Sequence, residues 1–124
     1  MRRRGESGQA AVELALALPL LAVLFLMLLQ VTLVVRDQVL LTHAAREAAR
    51  EAAVADDAGA ARRGALAGAR LDPDRLEVRT GGRGGPDSRI TVTLVYESAT
   101  DVPVVGAFVG DVRLEASVTM RVET

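Results

Sequence analysis

The chain has 124 residues, a length that allows one modest domain beyond a membrane span. Its 15 basic and 16 acidic side chains nearly cancel, so its net charge gives no basis for nucleic-acid binding. It contains no cysteine and one histidine, His43, which excludes a disulfide framework, a thiolate metal site and any site that needs two imidazoles. Because catalytic groups are so few, we predict neither an enzyme nor a protein that holds a metal, a cofactor or a small-molecule substrate.

The chain begins with a basic leader, residues 1–8, that carries arginine at positions 2–4. An uncharged, largely apolar run follows at residues 14–35, enough for about 33 Å of helix against a hydrocarbon core of about 30 Å. We therefore predict a transmembrane helix over residues 9–36. An ordinary signal peptide would have a shorter apolar region followed by a small-residue cleavage site, and this run has neither.

The charges on either side of the span predict its orientation. The leader is basic, whereas Arg36 and Asp37, which follow the span, cancel each other. By the positive-inside rule, the N-terminus stays in the cytoplasm and the chain beyond Arg36 is extracytoplasmic. The predicted location is the cytoplasmic membrane, crossed once.

The residues that lead into the span form a second pattern. Gly8 is followed by four residues, QAAV, and then by Glu13 at the edge of the apolar run. One explanation of Glu13 is electrostatic, because the first turns of a helix favour an anion. The other is that a glycine, four residues and a glutamate before a long apolar helix form the pattern that type IV prepilin peptidases recognise.

Small residues occur on the same helix. Ala11 and Ala15 are spaced four residues apart, which leaves a flat surface for a neighbouring helix, and Pro19 follows at the same spacing. The simpler explanation is that alanine is abundant throughout this chain. The residues that we predict to serve helix packing and assembly are Ala11, Ala15 and Pro19.

Together these features resemble the TadE/TadG-like pseudopilins, minor pilin-like proteins of tight-adherence (Flp) pilus systems. The segments that carry the resemblance are GQAAVELALALPLL at 8–21, THAAREAAREAA at 42–53 and ASVTMRVE at 116–123. The chain departs from the family pattern at Leu14, where members often have an aromatic residue. It also has Ala48 and Ala52 in a helix where many members carry a glycine.

The resemblance implies a role in assembly rather than in catalysis. It implies that a prepilin peptidase cuts between Gly8 and Gln9, which leaves Glu13 fifth in the mature chain. It also implies that the Glu13 carboxylate pairs with the N-terminal amine of its own chain or of a neighbour. The implied partners are the membrane, the prepilin peptidase, other pilins or pseudopilins and the pilus assembly machinery.

Beyond the span the helical pattern continues through residues 37–55, which contain no glycine or proline. Apolar side chains recur along one stripe of this segment, at Leu40, Leu41, Ala44, Ala45, Ala48, Ala49, Ala52 and Ala53. Charged residues and a solvated His43 occupy the opposite face. The segment is therefore predicted to be an extended amphipathic helix that packs closely against a sheet or another helix.

A second helix is predicted over residues 58–70, after an interruption at 56–59 in which Asp57 could cap it. Gly64 and Gly68 weaken this prediction, because each costs about 1 kcal/mol relative to alanine inside a helix.

The period of the apolar residues then changes to two, which predicts strands at 75–80, 89–97 and 111–122. The loop GGRGGPDS at 81–88 lacks the spacing of a phosphate-binding loop. The apolar connection at 104–109 could face the core or a partner, and we favour the core because so small a domain has little apolar area.

The predicted fold class is α+β: a single N-terminal transmembrane helix extended into a small extracytoplasmic domain, residues 56–124, with a three-stranded antiparallel sheet in a pilin-like arrangement. The leading functional hypothesis is a pseudopilin-like assembly protein of an Flp pilus or a related secretion system. The alternative is a single-span module that binds or senses something outside the cell and is unrelated to pili. A mature N-terminus at Gln9 favours the first, and an intact Met1 favours the second.

Overall fold

The computed structural model describes residues 4–55, 57–82, 84–85 and 87–122, so the first three residues of the predicted leader lie outside the described part, as do positions 56, 83, 86, 123 and 124. In chain order, the elements are helix α1 (Arg4–Val54), helix α2 (Ala60–Gly68), a 3-10 turn (Pro73–Arg75), strand β1 (Leu76–Gly81), strand β2 (Arg89–Ser98), helix α3 (Val105–Phe108) and strand β3 (Val112–Arg121).

Helix α1 is continuous over 51 residues and forms the long axis of the described chain. Residues 14–29 of this helix are apolar on all sides and almost all exposed, and by length and composition the helix could cross a membrane. Its C-terminal part carries the predicted apolar stripe, whose members Leu41, Ala44, Ala45, Ala48, Ala49, Ala52 and Ala53 are no more than 4% exposed. One helix therefore serves both as the candidate span and as the central element of the domain.

Helix α2 packs against this stripe at very short range, and its two glycines explain how. A β-carbon added at Gly64 would lie 2.6 Å from the backbone oxygen of Glu47, and one added at Gly68 would lie 2.9 Å from the Glu47 side chain. The helix begins at Ala60, after Gly59 as N-cap, and so covers less than the predicted residues 58–70. Asp57 does not cap it as the sequence suggested: its carboxylate accepts the backbone N–H of Gly59 instead.

The sheet has the order β1-β2-β3, and both strand pairs are antiparallel, as predicted. In the central strand, Leu94 lies opposite Val78 on one side and Ala116 on the other. The inward residues of this strand are buried: Ile90, Val92, Leu94 and Tyr96. On the outer face, pairs of hydroxyl groups link Thr91 to Thr119 and Thr93 to Ser117. Helix α1 covers the inner face, so the domain is a helix laid on a small sheet.

The apolar connection between β2 and β3 departs from the prediction that it faces the core. Val105 is buried, but Val104 is 51%, Phe108 84% and Val109 39% exposed. The prediction was wrong for these three residues because α1 already covers the inner face of the sheet. The short helix α3 instead lies beside α1, at the end of the sheet nearest the candidate span.

Candidate functional site in the N-terminal helix

The residues singled out from the sequence all lie in the first third of α1, and all are exposed. They are Gly8, Gln9, Ala11, Glu13, Ala15 and Pro19. Along the described part of α1, Gln30 is the first residue that the domain buries. The helical rise puts Glu13 about 25 Å before it. The candidate site, which we call the assembly segment (residues 8–19), is thus a free helix surface remote from the domain.

Gly8 lies inside the helix rather than in a loop. A β-carbon added there would meet nothing within 4 Å, so its backbone is open to approach. A peptidase must unwind a helix to reach a peptide bond, and glycine lowers the cost of doing so because it is about 1 kcal/mol poorer than alanine as a helix former. Gly5 is similarly open and adds to this local weakness.

Gln9 and Glu13 lie on the same side of the helix, one turn apart. The Gln9 side-chain amide donates to a Glu13 carboxylate oxygen at 3.4 Å, which is long for a hydrogen bond. This contact leaves the carboxylate with capacity for a stronger donor. In hydrocarbon an uncompensated carboxylate is costly, so a cationic partner would stabilise Glu13 there.

The three packing candidates form a separate line on the far side of the helix from Glu13. Ala11, Ala15 and Pro19 follow one another at four-residue intervals, and all are exposed. Pro19 lies within the helix and has no N–H, so the Ala15 carbonyl lacks the hydrogen bond that residue 19 would otherwise donate. The small side chain of Ala15 leaves that carbonyl accessible to a neighbour.

A second group of contacts, which was not predicted from the sequence, fixes the domain to the C-terminal end of the apolar run. The Gln30 amide nitrogen lies 3.4 Å from the Thr100 hydroxyl, and Ser98 donates its hydroxyl hydrogen to Asp37 at 2.6 Å. Gln38 reaches across to the backbone oxygen of Glu115. Gln30 is a polar residue that interrupts an apolar run, which indicates a buried contact. The sequence did not reveal its partner, Thr100, because the two lie 70 positions apart.

His43 is exposed on α1. Within residues 4–55, 57–82, 84–85 and 87–122, no group of three or more histidine, cysteine, aspartate or glutamate side chains is placed to hold a metal ion. The residues singled out in the assembly segment are instead exposed along one helix.

Comparison with known proteins gives one family. Residues 8–50, about one third of the chain, match the family model of TadE-like proteins. No curated protein and no solved structure matches the chain. The resemblance to TadE-like proteins is therefore confirmed over the assembly segment, the apolar run and most of the alanine stripe, and the family suggests involvement in a tight-adherence pilus system.

Proposed function

From an N-terminal helix that is TadE-like over residues 8–50, we propose that the chain is a membrane-anchored, pseudopilin-like structural protein that supports the assembly of an Flp pilus or a related secretion system. One observation carries this proposal. The matched segment coincides with a single continuous helix that begins before Gly8, exposes Glu13 and ends in the core of the domain. Such a helix links a membrane-embedded assembly surface rigidly to a folded head.

The proposed topology is a single pass through the cytoplasmic membrane with the N-terminus inside. The arginines at positions 2–4 favour the cytoplasm, and Arg36 with Asp37 supplies no opposing excess of positive charge. Residues beyond Asp37 then fold outside, where the sheet closes over the alanine stripe.

Processing would convert the assembly segment into its active form. A prepilin peptidase would cut between Gly8 and Gln9 and leave a free amine on Gln9. That amine stands one helical turn from Glu13, about 6 Å along the axis, so pairing within the chain requires only side-chain adjustment. Pairing with the amine of a neighbouring subunit would use the same carboxylate and would set the axial register between subunits.

The line formed by Ala11, Ala15 and Pro19 would provide a second contact. Small side chains allow two helices to approach closely within a membrane, where packing rather than the hydrophobic effect drives association. The freed carbonyl of Ala15 offers a hydrogen-bond acceptor on the same line. Because this line and Glu13 lie on different sides of the helix, one subunit could contact two neighbours at once.

The proposal is tested by the mass of the mature protein isolated from its host membrane. We expect an N-terminus at Gln9 in the parent and retention of the leader, or loss of pilus output, in Glu13→Gln. The matched control is Glu6→Gln, which removes a carboxylate from the same helix within the leader and should be processed normally. If Glu13→Gln leaves both leader removal and pilus output intact, the assigned role of Glu13 is wrong. An intact Met1 in the parent would favour the alternative of a single-span sensing module.

A further inference from the structure

The connection that contains α3 exposes apolar side chains to an unusual degree. Phe108 is 84% exposed and Val104 51%, in a domain whose core is made largely of alanine, leucine and valine. No charged residue occurs between Asp101 and Asp111. A single exposed apolar residue needs no explanation, but a contiguous uncharged group marks a surface that contacts something apolar.

This group continues directly from the apolar run of α1. A groove of about 340 Å³ separates the two, and its walls are almost entirely apolar. The groove is lined by Met27, Gln30, Val31, Val34, Val35, Val105, Val109 and Val112. Two residues of the connection, Val105 and Val109, therefore stand beside residues 27–35 of the helix.

The position of residues 27–35 relative to a bilayer follows from the length of the helix. If hydrocarbon begins after Glu13, about 20 residues cross its core of about 30 Å, which places the outer boundary near residue 33. Arg36 is exposed and charged, so hydrocarbon ends before it. Residues 27–33 thus belong to the outer leaflet, residues 34 and 35 lie at its boundary, and α3 stands beside both groups.

The connection is held in this position by its base rather than by a core of its own. The Thr100 hydroxyl donates to the Gly110 carbonyl at 2.9 Å, and the Thr100 backbone N–H donates to Asp111 at 3.3 Å. Arg75 pairs with the same Asp111 carboxylate at 3.2 Å. These contacts place the polar groups at the base of the connection and leave its tip apolar.

The tip also contains backbone strain. Val104 has a φ of 68° and a ψ of −49°, and the Val105 N–H donates to the Pro103 carbonyl at 2.8 Å. This is the strained form of the γ-turn, which is unfavourable for a β-branched residue. Strain that presents an apolar side chain outward is consistent with a contact surface rather than with a solvent loop.

We infer that α3 and residues 104–109 are immersed in the outer leaflet of the membrane, with an acyl chain in the groove between α3 and α1. The inference rests on the proposed membrane anchoring of α1. The domain then touches the bilayer at two points, the span and the α3 tip, which fixes its tilt relative to the membrane. A lipid fits better than a second copy of the chain because the groove opens beside a segment that is itself surrounded by lipid.

The inference is tested with tryptophan as a depth reporter, since the natural chain contains none. Phe108→Trp is made in the full chain and reconstituted at high dilution into vesicles of phosphatidylcholine and phosphatidylglycerol. The lipids carry a nitroxide either near the headgroup or near the end of the acyl chain. Phe25→Trp, in the span, is the membrane-embedded reference. Val54→Trp, at an exposed valine about 28 Å beyond the span, is the reference in water.

We expect Phe108→Trp to emit at a blue-shifted wavelength and to be quenched more by the shallow nitroxide than by the deep one, whereas Phe25→Trp shows the reverse preference. If Phe108→Trp emits and is quenched like Val54→Trp while Phe25→Trp is quenched by the lipid nitroxides, this inference is overturned and the proposed span stands. Loss of quenching at Phe25→Trp overturns the proposed span and this inference with it. A blue shift that disappears as the protein is diluted in lipid identifies a second copy as the occupant and also overturns the inference.

A second measurement does not depend on tryptophan. Ala107→Cys is a unique thiol, because the chain has no cysteine, and its side chain is exposed. A nitroxide attached there should collide more often with oxygen, which concentrates in hydrocarbon, than with a water-soluble nickel complex. Greater access to the nickel complex would contradict immersion.

Discussion

The hydroxyl of Ser98 donates to the carboxylate of Asp37 at 2.6 Å and joins the last residue of the central strand to the helix just beyond the apolar run. Ser98 is 1% exposed, so water cannot replace this bond at the hydroxyl. The pair therefore orients the sheet on α1 just beyond the candidate span.

Ser98→Ala should lower the free energy of unfolding by about 1–3 kcal/mol, because hydrogen bonds to a charged partner contribute more than neutral ones. The measurement is denaturant unfolding of the full chain in detergent micelles, followed by circular dichroism. Thr93→Ala is the control, since its hydroxyl pairs with Ser117 on the exposed face and water can take its place. Equal stability of Ser98→Ala and the parent chain would show that the Asp37 contact does not hold the sheet.

Gly64→Ala should destabilise the domain although alanine is the better helix former. The added β-carbon would lie 2.6 Å from the Glu47 backbone oxygen, which cannot move aside as a flexible side chain can. We expect a net loss of about 1–3 kcal/mol, measured by the same unfolding experiment. Gly81→Ala is the matched control, because a β-carbon there meets nothing within 4 Å. A Gly64→Ala chain as stable as the parent would mean that α2 does not pack this closely.

Asp57 should make stability depend on pH at the acid end. The Gly59 N–H, at 2.8 Å, and then Arg63, at 2.6 Å, lower the pKa of the Asp57 carboxyl below its ordinary value. A carboxyl whose pKa is lowered by folding stabilises the folded state fully above its unfolded pKa, and that contribution is lost as the pH falls through the folded pKa. The melting-temperature difference between the parent and Asp57→Asn should therefore shrink as the pH falls from about 6 to about 2. A difference that does not change with pH would contradict this assignment.

The sequence predicted those parts of the fold in which the spacing of apolar residues along one helix or strand indicates directly which side chains are buried. The alanine stripe and the alternating residues of the central strand both point at the core in the structure. From the sequence, Gly64 and Gly68 predict a weak helix, because helix propensity describes an isolated helix. In the structure their effect depends on Glu47, which lies in α1.

The connection at 104–109 shows a different limit. An apolar segment is equally suited to a protein core and to a membrane surface, and its composition does not distinguish them. Only the packing of α1 on the sheet shows that the inner face is already covered, which leaves Phe108 outside. The role of the assembly segment, in contrast, stays a prediction. It rests on the local spacing of Gly8 and Glu13, and the structure shows only that both residues are exposed on α1.

The most direct measurement is the pilus output of the host after deletion of this chain. Surface pili would be counted by electron microscopy in the deletion strain and after complementation with the full chain. We predict that the deletion removes or sharply reduces the pili and that the full chain restores them. A deletion strain with as many pili as its parent would contradict a role in pilus assembly.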